Sequence, residues 1–177
     1  MKNYLFLVAF AAAVLVSCNN QPPKTEEAPK EDPVKKSIDN YKKFVDLITS
    51  GKADEAAPML AADAVEHPLG WPELKGRDSI IAMIKMWSAS TTNPKMELLQ
   101  VTSDGEYVFS HYRSTGTAAP NAMGTKMKGG PYDYTGIEIV KYNKEGLATD
   151  HWDYPDMMAY SKQVGLSMEP PKEEKKK

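Results

Sequence analysis

The chain has 177 residues, of which 41% are hydrophobic, and a formal net charge of −2 at pH 7. This length supports one good hydrophobic core, so we expect a single folded domain. Because its charges are nearly balanced, the chain lacks the excess of basic residues that is typical of proteins that bind nucleic acid. Cys18 is the only cysteine, which excludes both a disulfide framework and a thiolate metal cluster.

The first seventeen residues have the pattern of a secretory signal. Lys2 supplies a positive start, and the apolar stretch from Tyr4 to Val16 is shorter than the roughly 20 residues that span a bilayer. The sequence Leu15-Val16-Ser17-Cys18 then resembles a bacterial lipobox, in which the cysteine is lipidated. We therefore expect a signal peptide at residues 1–17 and a lipoprotein attached to a membrane of the bacterial cell envelope through Cys18. An uncleaved anchor or a plain secretory signal is the alternative.

Two polar segments flank the expected domain. Residues 18–32 carry Pro, Glu, Lys and Asn without a large apolar side chain, which is typical of a solvated tether. Residues 169–177 form a charged tail interrupted by proline. The folded domain is therefore expected at residues 33–168.

The first half of the domain predicts three helices. Asp32 and Pro33 form a helix start, and an apolar stripe follows until Ser50-Gly51. A short second helix is expected from Asp54 to Leu60. After an extended piece and a loop, a third helix begins at Gly76-Arg77-Asp78 and is expected to end at Asn93-Pro94.

The second half predicts an antiparallel meander of four strands and a last helix. The alternating patterns fall at Lys95–Thr102, Tyr107–Thr117, Tyr132–Tyr142 and Leu147–Tyr154. The glycine-bearing segment from Ala118 to Gly130 is a candidate lid. Asp156 can cap a helix that runs to Gly165. Helices followed by a meander indicate the α+β class.

The strongest functional signal lies in the last strand. Lys144-Glu145-Gly146 provides a hairpin turn, after which alternation places His151 and Asp153 on one face and Ala148 on the other. An imidazole next to a carboxylate on the concave side of a sheet would form an acid/base pair. A hydrogen-bonded pair that merely closes the strand is the alternative.

Five other residues are candidates for the lining of a pocket. His67 opens a loop, while His111 and Arg113 share a strand face that either lines the pocket or forms a dimer surface. Two tryptophans belong either to the core or to the pocket wall. The five candidates are His67, Trp71, His111, Arg113 and Trp152. The three histidines lack short metal-ligand spacing, so no metal is expected.

Residues 36–166 resemble the SnoaL-like (polyketide cyclase-like) family of the nuclear transport factor 2-like superfamily. The resemblance rests on the order of the helices, the His67-Pro68 loop, Gly116-Thr117, the run GIEIVKYNKEGLATDHWDYPD and the ending Gln163-Val164-Gly165. It implies a cone-shaped fold, in which a curved antiparallel sheet wraps against three N-terminal helices around an apolar pocket, with a short C-terminal helix. It also implies a homodimer and neither a metal nor an organic cofactor.

The resemblance also implies a chemistry. The cyclases of the family close a ring by an intramolecular aldol reaction, in which an aspartate at the position of Asp153 is the acid/base, near a histidine like His151. We therefore expect an envelope protein that carries out acid/base chemistry of the cyclase, isomerase or lyase type on a small apolar carbonyl compound. The alternative is a non-catalytic module that binds a small ligand or a partner protein, so the sequence leaves enzyme activity open.

Overall fold

The computed structural model describes residues 32–167. The expected signal peptide, Cys18, the tether up to residue 31 and the charged tail lie outside this range. Within residues 32–167 no helix is long and apolar enough to cross a membrane.

The described residues form an α+β domain, as the sequence predicts. The helices are α1 (Pro33–Thr49), α2 (Ala53–Ala56), α3 (Arg77–Ala89) and α4 (Met157–Val164). The strands are β1 (Leu60–Pro68), β2 (Leu74–Lys75), β3 (Thr91–Ser103), β4 (Tyr107–Ala118), β5 (Gly130–Tyr142) and β6 (Ala148–Pro155). Short 3₁₀ turns occur at Ala57–Met59 and Ala122–Gly124.

The six strands form one curved, unclosed sheet in the order β2-β1-β6-β5-β4-β3. Strands β3 to β6 are the expected antiparallel meander. However, β1 lies parallel to β6, with Glu66 opposite His151. The sheet is therefore antiparallel, as expected, except at the β1–β6 pair. The long connection through α3 allows a parallel pair, which a hairpin does not.

The caps of α1 and α4 follow the sequence. The Asp32 carboxylate accepts from the backbone N–H of Val34 at 3.0 Å, and that of Asp156 accepts from Ala159 at 2.9 Å. A left-handed Gly165, with φ of 64°, ends α4. Each cap gives an orphan N–H or carbonyl group a partner, which explains why these boundaries were predictable.

The predicted end of α3 is wrong. The helix ends at Ala89, where the Ser90 hydroxyl donates to the carbonyl of Met86 at 2.9 Å. Asn93-Pro94 instead lies inside β3, where the pairing with β4 shifts register and Asn93 adopts φ of 50°. The Asn-Pro pair therefore marks a bulge in a strand rather than the end of a helix.

The hydrophobic core lies between the sheet and the helices. Its buried residues are Tyr41, Val45, Ala53, Leu60, Ala61, Ala64, Ile80, Ile81, Ile84, Val108, Val140, Tyr142 and Ala148. A second cluster under α4 contains Met127, Tyr132 and Val164. The backbone N–H groups of Lys128 and Gly129 donate to the Val164 carbonyl, both at 3.0 Å. These bonds attach the end of the 118–130 segment to α4.

Asp156→Ala should lower the free energy of unfolding by about 1 kcal/mol, because it removes the N-cap acceptor of α4. Urea unfolding followed by circular dichroism measures the change. Asp156→Asn is the matched control, since its amide oxygen can accept the same bond from Ala159. An alanine variant as stable as the wild type would contradict the capping role.

Candidate functional site

A cavity of about 310 Å³ lies between the inner face of the sheet and the helices. This volume is near the lower end of the range for small-molecule pockets. Its apolar wall includes four methionines, and its polar groups come from the strands and from Tyr41 on α1. The apolar side chains include Phe44, Val45, Ile48, Leu60, Ile80, Met83, Ile84, Trp87, Met96, Met123 and Met157.

A bulge in β6 decides which side chains reach this cavity. Ala148 lies opposite Tyr142, but Asp150 lies opposite Lys141, so Thr149 is an extra residue. Directly opposite residues in an antiparallel pair share a face. Because of the bulge, Ala148 points inward together with His151 and Asp153, and the strict alternation predicted from the sequence is wrong at Ala148.

His151 lies between two buried glutamates. Its Nδ1 is 2.6 Å from an Oε of Glu66, and its Nε2 is 3.7 Å from an Oε of Glu138. Only 4% of Glu66 and 7% of Glu138 is exposed, and the Tyr41 hydroxyl also donates to Glu138. Burial alone would lower the pKa of His151, but the contacts with Glu138 and Glu66 outweigh it and raise that pKa well above its ordinary value. At neutral pH His151 is therefore an imidazolium.

Asp153 occupies the cavity wall next to this group. It lies opposite Glu138 in the sheet, and the Tyr112 hydroxyl donates to its Oδ1 at 2.7 Å. Burial, followed by the charge of Glu138, raises the pKa of Asp153 to about 7, while His151 and the Tyr112 hydrogen bond limit the rise. Near pH 7 this carboxyl group is thus present in both protonation states, as a general acid/base requires.

The sequence of this domain matches a known family. A model of the SnoaL-like domain matches residues 41–151, which is more than half of the chain. The chain belongs to the SnoaL-like family. A comparison with curated proteins gives no match.

Solved structures share the SnoaL-like fold at low sequence identity. A candidate SnoaL-like polyketide cyclase from Jannaschia sp. CCS1 has a TM-score of 0.68 at 14% identity, covering 82% of this chain and 99% of that one. An LEH-like epoxide hydrolase from M. tuberculosis has a TM-score of 0.62 at 14% identity, covering 75% and 92%. AclR, a candidate hydroxylase from Streptomyces galilaeus, has a TM-score of 0.63 at 14% identity, covering 75% and 97%. At these identities the likeness concerns the fold alone.

The SnoaL-like domain brings His151 and Asp153 to the cavity but does not pair them with each other. Within residues 32–167, His151 contacts the two glutamates, and the hydrogen-bond donor to Asp153 is Tyr112. Since carboxylates face both ring nitrogens, His151 has no free nitrogen lone pair with which to accept a proton. The geometry therefore favours Asp153 as the group that exchanges protons.

His67 and Trp152 do not line the cavity, contrary to the sequence prediction. They lie opposite each other on β1 and β6, and their rings stack with centroids 4.6 Å apart. The His67 nitrogens contact Glu73 and Asp150, each at 3.1 Å. Each residue is one position along its strand from an inward-facing neighbour, so the pleat turns both away from the cavity.

The remaining three candidates separate into one at the rim and two outside. Trp71 lines the cavity mouth with 66% of its surface exposed. His111 and Arg113 flank the inward-facing Tyr112 on β4, so they point to the outer face of the sheet and not to the cavity, a choice that the sequence left open. There, the Arg113 Nε donates to Asp133 at 2.7 Å.

Sequence reasoning missed four polar residues of the site: Tyr41, Glu66, Tyr112 and Glu138. The sequence contained one signal for these residues, at Glu138. This residue shares a strand face with Val140 and Tyr142, so burial of those two side chains implies that Glu138 is buried as well. The isoleucines of the same strand lie on the other face, where 43% of Ile137 is exposed. Within residues 32–167 no group of three or more His, Cys, Asp or Glu side chains could hold a metal ion.

Asp153→Asn should stabilise the domain above neutral pH. The pKa of Asp153 is near 4 in the unfolded chain and about 7 in the folded domain. Ionisation in the folded state therefore costs stability as the pH rises from about 4 to about 7. Asparagine removes this cost, of the order of 2–4 kcal/mol, so thermal unfolding at pH 8 should show a higher Tm than wild type.

The difference between the two Tm values should shrink towards zero at pH 4. Asp133→Asn is the control: the hydrogen bond from Arg113 lowers the pKa of that exposed carboxyl group, so its substitution should not raise the Tm. A fall of several degrees in the Asp153→Asn variant at pH 8 would mean that the carboxylate is structural.

Proposed function

We propose that this protein is an enzyme that performs cofactor-free acid/base chemistry of the isomerase or cyclase type on a small apolar carbonyl compound. The supporting observation is that Asp153, whose pKa is about 7, lies on the wall of a largely apolar cavity. A base of this pKa is close to the optimum for proton transfer at neutral pH. The relation to a family whose structural neighbours include a candidate polyketide cyclase supports the same reaction class.

The reaction begins with proton abstraction from the carbon next to the substrate carbonyl. The Asp153 carboxylate takes this proton, and the electron pair of the C–H bond forms an enolate. An isomerase then returns the proton from Asp153 to another carbon of the enolate. In a cyclase the enolate carbon attacks a second carbonyl group of the same molecule, and Asp153 protonates the alkoxide that forms. Neither route consumes a further reactant.

The buried ion network favours a neutral substrate. Glu66 and Glu138 carry two negative charges against the single positive charge of His151, so the polar end of the cavity is already anionic. A substrate carboxylate would add a like charge in a medium of low dielectric constant. A ketone or an ester avoids this repulsion, and the small volume favours a compound of one or two rings.

Catalysed exchange of the α-protons of α-tetralone in D₂O, followed by NMR, tests the proposal. α-Tetralone is a neutral two-ring ketone that carries acidic protons next to its carbonyl group. The exchange rate should rise with pH and level off above about 7, because the base is the ionised form of Asp153. Asp153→Asn should lower it at least about 100-fold.

His111→Gln is the control for the exchange experiment, because His111 lies on the outer face of the sheet. Its exchange rate should equal that of the wild type. Exchange that survives in Asp153→Asn would disprove the assigned role. Tight binding of α-tetralone with no exchange would favour the non-catalytic binding module instead.

We further propose that Cys18 is lipidated and anchors the domain to the bacterial cell envelope. The basis is the signal pattern and the lipobox-like Leu15-Val16-Ser17-Cys18. In bacterial cells, Cys18→Ser should move the protein from the membrane fraction to the soluble fraction and abolish labelling by an alkyne fatty acid. Asn19→Ser, the neighbouring polar substitution, should leave both unchanged. Equal labelling of wild type and Cys18→Ser would contradict lipidation.

A further inference from the structure

The Tyr112 side chain crosses one whole strand to reach Asp153. Tyr112 on β4 lies directly opposite Gly136 on β5, and Gly136 in turn lies opposite Pro155 on β6. Only 1% of Tyr112 is exposed, and its hydroxyl donates to the Oδ1 of Asp153 at 2.7 Å. The ring therefore passes over β5 at the position of Gly136.

This path is open only because Gly136 has no side chain. A Cβ atom at this position would lie 2.3 Å from the Tyr112 hydroxyl oxygen and 2.4 Å from its Cζ, far inside van der Waals contact. Gly136 is not among the residues with positive φ, so its backbone conformation suits any residue. A glycine inside a strand weakens the strand, and here the reason for it is space rather than conformation.

We propose that Gly136 is a positioning residue, whose missing side chain lets Tyr112 cross β5 and hold one oxygen of Asp153. The Tyr112 hydroxyl occupies Oδ1 and so leaves Oδ2 as the oxygen available to a substrate. The effect of Gly136 on turnover rests on the acid/base role proposed for Asp153. The effect of Gly136 on the contact between Tyr112 and Asp153 does not depend on that role. Experiments can therefore test the contact and the turnover separately.

The Tyr112 hydrogen bond also stabilises the ionised form of Asp153. It lowers the pKa of Asp153 and thereby opposes the larger effects of burial and the Glu138 charge. The other titratable groups that act on Asp153 are Glu66, His151 and Tyr134. Loss of the Tyr112 contact with these groups unchanged would leave Asp153 protonated to a higher pH.

The same pair of strands provides a matched control. Tyr132 on β5 lies opposite Gly116 on β4, which is the same arrangement with the strands exchanged. A Cβ atom on Gly116 would lie 2.6 Å from the Tyr132 hydroxyl oxygen. Tyr132, however, belongs to the cluster under α4 and does not line the cavity. Gly116→Ala therefore introduces similar crowding without touching the tyrosine that holds Asp153.

The test is the titration of the Asp153 carboxyl carbon by ¹³C NMR, without substrate. In Gly136→Ala and in Tyr112→Phe the midpoint should rise by about one pH unit, the size expected for one lost hydrogen bond to a carboxylate. Gly116→Ala should leave the midpoint unchanged. The Gly136→Ala/Tyr112→Leu double variant should titrate like Tyr112→Leu alone, because leucine lacks both the hydroxyl group and the ring atoms that the new Cβ would crowd.

An unchanged midpoint in Gly136→Ala would overturn the inference, even if the wild type catalyses α-proton exchange. Conversely, a raised midpoint in a protein that exchanges no α-protons would retain the inference and reject the proposed function. If Gly136→Ala does not fold, Tyr112→Leu/Gly136→Ala should fold as well as Tyr112→Leu alone, because leucine lacks the crowded atoms. A double variant that remains unfolded beside a folded Tyr112→Leu would also overturn the inference.

Discussion

The charged contact of His151 with Glu66 and Glu138 is the constraint on which the site depends. Taking one imidazolium and two carboxylates out of water is costly, and the cost is offset only when all three lie together. The three residues come from β6, β1 and β5. They meet because β1 pairs with β6 in a register that places Glu66 opposite His151. This pairing at the edge of the sheet is therefore a requirement of the site.

The buried ion network adds to the effect of burial on Asp153. Burial is the largest influence and raises the pKa of this carboxyl group, while the charge of His151 opposes the rise. With two glutamates around one histidine, Glu138 adds a repulsion that more than cancels the attraction of His151. The Tyr112 hydroxyl then offsets part of the rise. Asp153 titrates near neutrality because burial and the charge of Glu138 together outweigh the opposing effects of His151 and Tyr112.

The sequence predicts those features that depend on a few neighbouring residues. The caps at Asp32 and Asp156 and the hairpin at Gly146 are local patterns, and the structure has them. Features that depend on distant residues were not predictable: the parallel β1–β6 pair, the extra Thr149 and the partners of His151. The spacing of His151 and Asp153 revealed a shared face, but no spacing could reveal that Glu66, 85 residues away, is the partner of His151.

The polar and apolar parts of the cavity wall differ in how firmly their side chains are held. The polar end of the cavity is fixed by buried hydrogen bonds, with Tyr41 on Glu138 and Tyr112 on Asp153. Four methionines also line the cavity, and their flexible side chains adapt to different shapes. In the reaction proposed for Asp153, a fixed carboxyl group in an adaptable apolar cavity would restrict the position of the reacting carbon more strictly than the rest of the substrate. This division is one way in which a single fold can serve different substrates.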